Sequence, residues 1–327
     1  MSGGSPSGGS PSGGTRAERE PGAAEPLVVW ALLALVAVCV TATYARIPVS
    51  ELYHVSHSGL VGGLSRALVL ISFPIALVAI PLALVAADRL PGPVAAGLAS
   101  LSVLLSAFVA WPGVVDQADM DAKALNAVPA LGVALALALS AWAATRRRAA
   151  FARKLPLDLA RAVTAVALVL GGLPWLLAEA GFSVSDLPGL GRIFLGDQIR
   201  REGVGETLQV VHLGHHHGAD GLYLALAALL LSRTLPQMGR MRGLVSAYLA
   251  LMFVYGLANY VQDFWTEQIV KRGWTGHSMP SLLHPSLTVW WLAILLLAAC
   301  VELGAFRWER RYALENEGAR SGAGSFG

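Results

Sequence analysis

The chain has 327 residues, of which 55% are hydrophobic and only 14% charged, with a mean hydropathy of +0.59 and a formal net charge of +3. A water-soluble domain usually carries about 25% charged residues, so a soluble globular surface is excluded. The small positive charge is spread over short segments rather than gathered in a patch, which argues against nucleic-acid binding.

Residues 1–26 repeat Gly, Ser and Pro and then turn polar at Arg16, Glu18, Arg19 and Glu20. Such a segment cannot bury enough apolar surface to offset its ordering entropy, so a disordered tail is expected. From Leu27 onward, apolar blocks of about 20 residues recur, each long enough to cross the ~30 Å hydrocarbon layer as a helix. Eight spans are expected: 27–45, 67–87, 94–111, 128–144, 161–180, about 212–233, 243–263 and 286–304. Pro74, Pro81 and Pro174 should kink the second and fifth of them. The expected fold class is therefore all-α, a polytopic membrane protein. Its transmembrane domain would run over 27–306, followed by a cytoplasmic tail over 307–327. Cys39 and Cys300 both fall inside apolar blocks and give no disulfide framework.

Lysine and arginine set the expected orientation. With the N-terminus inside, 16 of the 24 basic residues fall on the cytoplasmic side, among them Arg146, Arg147, Arg148, Arg153, Lys154 and Arg161 in one loop. Both termini are then cytoplasmic, and the plasma (inner) membrane is the expected location. Arginine outnumbers lysine 21 to 3, as in chains from GC-rich bacterial genomes.

In that orientation all eight histidines share the extracytoplasmic side: His54 and His57; His212, His215, His216 and His217; His277 and His284. The purely apolar part of the sixth span, Leu222 to Leu231, is too short to cross, so that helix is expected to begin near His212. At 100° per residue, His212, His215, His216, Asp220 and Tyr223 fall within an arc of about 140°, with His217 pointing away. Imidazole and carboxylate make a ligand set for Zn, Fe or Cu. The expected site is a transition metal held by His212, His215 or His216 with His54 or His57, and with His277 and His284 as further candidates. Asp220 would orient a ligand. On the seventh span, Tyr255, Asn259, Gln262 and Asp263 recur on one face, and Asp263 is the candidate to move protons. Glu179 is a further carboxylate candidate. Asp116-Gln-Ala-Asp-Met-Asp-Ala-Lys resembles a calcium loop only at its opening, lacking the sixth-position glycine and the distal glutamate.

No zincin box, nucleophile elbow or phosphate-cradling loop is present. The expected midplanes carry no charge, which disfavours an ion-coupled carrier. The run His212-Leu-Gly-His215-His216 resembles the His-x-x-His-His boxes of membrane fatty-acid desaturases and hydroxylases. In that family such boxes hold two irons that activate oxygen. The resemblance covers five residues, the family's other boxes have no counterpart here, and its boxes face the cytoplasm. Three functions follow as expectations. The first is a metal-dependent membrane enzyme acting on a lipid-soluble or extracytoplasmic substrate. The second is a copper or haem handling factor, to which Met120 and Met279 could add thioether ligands. The third is a permease or scaffold without metal.

Overall fold

The computed structural model describes residues 24–52, 54–116, 119–146, 150–182, 188, 199–202, 206–209, 217–271, 273–313 and 315, with backbone only for the segments 199–202 and 206–209. Each of the eight expected spans carries a helix. These are α1 (Ala24–Arg46), α2 (Gly59–Arg89), α3 (Pro93–Ala110), α4 (Ala124–Arg146), the pair α5 (Asp158–Gly171) and α6 (Leu173–Glu179), α7 (His217–Ser232), α8 (Arg242–Val270) and α9 (Val289–Ala313). Six of them are long and apolar enough to cross a membrane. The α5–α6 pair, bent by 62°, makes a seventh if it counts as one span. Described from His217, α7 has 16 residues and is about 24 Å long, short of the ~30 Å hydrocarbon layer. One element was not expected: an antiparallel hairpin of β1 (Ile199–Glu202) and β2 (Glu206–Gln209), with Ile199 opposite Gln209.

Local chemistry explains the boundaries. Pro74 cannot donate to the ladder, and α2 answers with a π-helical turn over Ile71–Ile75 instead of a break. Gly92, at φ +101°, turns the chain so that Pro93 opens α3 at a position where no N–H is needed. The Asn126 side chain accepts the Lys123 backbone N–H at 2.7 Å and starts α4. The α5–α6 bend falls at Gly171-Gly172, against the Tyr260 ring, whose hydroxyl donates to the Leu168 carbonyl at 3.0 Å. The Asp88 carboxylate, at the end of α2, accepts the N–H groups of Gly239 and Met241 at 2.7 and 3.0 Å just before α8.

The core lies along α2, α7 and α8. In α2, 72% of the apolar stretch is buried inside the protein, against 22 to 28% in α1, α3 and α9. Leu35, Leu104, Leu131, Leu159 and Leu296 stand outward on the peripheral helices. Leaving such side chains in water would forgo about 1.5–3 kcal/mol each, and in a membrane protein lipid covers them. α7 and α8 meet backbone to backbone: a Cβ on Gly256 would stand 2.6 Å from the Gly221 carbonyl oxygen. This close approach lets α7, buried at 12 of its 16 positions, sit at the centre despite its length.

Three helices are longer than the hydropathy pattern indicates. α2 begins at Gly59 and takes Arg66 into the core, α8 runs to Val270 and includes Glu267, and α9 runs to Ala313. The expected tail from 307 therefore starts as helix, with Glu309 buried. Glu309 accepts both Arg161 Nη1 and the Leu157 N–H at 2.9 Å, and Arg161 Nε donates to Ser232 Oγ at 2.9 Å. Nearby, Glu25 accepts the Ala152 N–H at 2.7 Å and lies 3.6 Å from Arg233. These groups tie α1, α5, α7 and α9 together at one end of the bundle.

Candidate functional site

The opposite end holds the polar chemistry. Here α1 ends, α6 ends, α7 begins and α8 ends. Four carboxylates gather around the first turn of α7. Asp263 of α8 accepts the Gly218 backbone N–H at 2.8 Å, so it caps α7 and complements its helix dipole. Asp220, 2% exposed, lies on α7 itself, with Oδ2 3.7 Å from His217 Nδ1. Glu179 of α6 accepts the Tyr223 hydroxyl, while its backbone carbonyl accepts the Thr43 hydroxyl at 2.5 Å. Glu267 of α8 accepts Trp175 Nε1 at 2.7 Å and stands 3.7 Å from Lys271 Nζ. The Trp175 ring lies directly against Gly218, where a Cβ would overlap it.

Glu267 reaches this position because α8 loosens into a π-helical turn over Thr266–Val270, which inserts its side chain beneath α6. On the same face Asn259 donates to the Tyr255 carbonyl at 2.9 Å, and Tyr255 donates to the Leu283 carbonyl at 2.8 Å. Of the polar face read on the seventh span, Asn259 thus bonds within α8, Tyr255 reaches the loop before α9, and Asp263 reaches α7.

The described histidines separate. His212, His215 and His216 lie outside the described residues. His217, expected to point away, instead neighbours Asp220, because residues three apart on a helix share a face. His57 is exposed and pairs with Asp121 of the loop between α3 and α4, Nδ1 to Oδ1 3.4 Å. Burial pulls the Asp121 carboxyl up, but hydrogen bonds from the Ser56 hydroxyl and backbone N–H and from His57 outweigh it, so it titrates below its ordinary value. His54 has φ +44°, and its carbonyl accepts the Met120 N–H at 2.9 Å. His277 and His284 are exposed, and the His277 carbonyl accepts Trp265 Nε1 at 2.9 Å. Among the described residues no group of three or more His, Cys, Asp or Glu is arranged to hold a metal ion.

The arrangement brings Asp220, His217 and Asp263 together and leaves His54, His57, His277 and His284 on other loops. Sequence reasoning missed Glu267, Trp175 and His217. Glu267 was legible as the next step of the 255, 259, 263 series, four residues on. Comparison with known protein families, with characterised proteins and with solved structures finds no match.

Proposed function

We propose that this is a plasma-membrane protein that crosses eight times with both termini cytoplasmic and holds a transition-metal ion at the head of α7. The eighth crossing is α7 taken together with the chain that leads into it from about His212, and the orientation rests on the distribution of lysine and arginine. The observation that carries the metal reading is the pair His217–Asp220. Their ligand atoms stand 3.7 Å apart, beyond hydrogen-bond length, on a helix whose preceding residues include His212, His215 and His216. Two ligands at ~2.1 Å from one tetrahedral ion stand about 3.4 Å apart, so the pair needs little adjustment to share one. Asp220 is 2% exposed, and a nearby cation offsets the cost of burying its charge.

Zn, Fe or Cu suits this donor set. His217 and Asp220 would hold the ion, which would supply a Lewis acid for water or dioxygen beside the membrane, as an enzyme acting on a lipid-soluble or extracytoplasmic substrate requires. In this reading Asp263 holds the first turn of α7 in place and passes protons only secondarily.

Elemental analysis of the detergent-purified full chain tests the proposal. Near-stoichiometric metal is expected in the wild type, with loss in Asp220→Asn and in His212→Ala/His216→Ala. Equal, substoichiometric metal in all three overturns it.

A further inference from the structure

Arg66 is 0% exposed at the start of the third turn of α2. Its guanidinium lies over the Tyr44 ring at 5.3 Å, and Nη1 donates to the Met120 carbonyl at 3.0 Å. Nε and Nη2, both buried, have no hydrogen-bond partner among the described residues. These two nitrogens form one edge of the guanidinium, the parallel two-donor fork that matches an oxyanion. The carboxylates of the covering loop are engaged elsewhere: Asp121 by Ser56 and His57, Asp116 and Asp119 by Lys123 at 2.7 and 3.3 Å. A buried cation with one edge open is costly unless an anion meets it.

The place in the fold indicates which anion. α2 has 31 residues and is about 46 Å long, which exceeds the ~30 Å hydrocarbon layer by about one and a half turns at each end when centred. Arg66 is the eighth residue of that helix, and its side chain leans toward the N-terminus. The guanidinium therefore sits at headgroup level. Ser58 gives the helix start no side-chain cap, and the first turn carries no acidic residue.

We propose that the Nε/Nη2 edge of Arg66 binds a phosphate oxyanion beside Met120, from a phospholipid headgroup or as free phosphate. The site is independent of the metal reading, since it shares no residue with α7.

The test uses the full chain in dodecyl maltoside and phosphate-free buffer. Thermal unfolding is followed while adding phosphatidylglycerol, galactosyl diacylglycerol of the same tails, or inorganic phosphate. Wild type is expected to be stabilised by a phosphate source and not by the galactolipid. In Arg66→Lys, which keeps the charge and loses the fork, the apparent affinity should fall about tenfold. Response to the phospholipid alone identifies a headgroup, and equal response to inorganic phosphate identifies the free ion. No response to either source, or an equal response in Arg66→Lys, overturns the proposal. Should Arg66→Lys fail to fold, phosphorus analysis of washed wild type decides: about one phosphate per chain is expected, and none overturns it.

Discussion

The Asp263 carboxylate receives the Gly218 backbone N–H at 2.8 Å, so the far end of α8 holds the near end of α7. That bond meets one of the N–H groups that a helix start leaves unpaired, and it puts negative charge at the positive end of the helix dipole. Asp263→Ala should destabilise the protein by about 1–2 kcal/mol, and Asp263→Asn, which keeps the acceptor oxygen, by less. Unfolding of both variants in detergent measures the difference. Equal losses would show that the carboxylate does not act through the cap.

The same helix pair depends on the absence of two side chains. A Cβ on Gly256 would stand 2.6 Å from the Gly221 carbonyl oxygen and 2.9 Å from the Ala225 nitrogen, and neither backbone can swing aside. Gly256→Leu should therefore cost more than about 3 kcal/mol, the upper range for overpacking. Gly97→Leu on α3, where a Cβ meets nothing within 4 Å, should be near neutral. Comparable losses in the two variants would mean that the close crossing is not needed for stability.

The hydrophobic pattern located each long helix among the described residues, because a run of apolar residues has few other ways to satisfy its backbone in lipid. It misjudged where helices end. Arg66, Glu267 and Glu309 fall outside the expected spans, yet each is buried in a helix that continues past the apolar run. Their partners, the Met120 carbonyl, Trp175 and Arg161, are 54, 92 and 148 residues away, and no local periodicity encodes such pairings. The bend near Pro174 was legible, since Gly-Gly-Leu-Pro combines freedom with a missing donor. His217 was assigned to the wrong face because only 60° separates it from Asp220 on the helical wheel, less than the reach of an imidazole.

At the other end, Arg161 and Glu309 form a buried ion pair that is one unit in energetic terms. Removing the carboxylate alone, in Glu309→Ala, leaves Arg161 with Asp158 at 3.3 Å and Ser232, and deprives the Leu157 N–H of its acceptor. A loss of about 3 kcal/mol is expected, at the low end for a broken buried pair. Arg161→Met/Glu309→Leu, which removes both charges and fills the volume, should recover most of it. A double-mutant cycle in detergent checks this, and additive losses would contradict the coupling.

Asp121 gives the protein an acid-sensitive contact at the histidine-bearing end. Burial raises its titration, but its carboxylate accepts the Ser56 hydroxyl and, at 3.0 Å, the Ser56 backbone N–H, and faces His57, which together hold it below the ordinary carboxylate value. A group whose native titration is depressed contributes stability that is present above its unfolded value, about 3.9, and lost as pH falls through the native one. Wild type should therefore lose more thermal stability than Asp121→Asn as pH drops from about 5 toward 3, because the variant has already given up the contribution that protonation removes. The difference between the two curves isolates this carboxylate from the others that titrate in the same range. Parallel curves would mean that Asp121 titrates alike in the folded and unfolded chains, and that the link from the 116–123 loop to Ser56 and His57 adds nothing to stability.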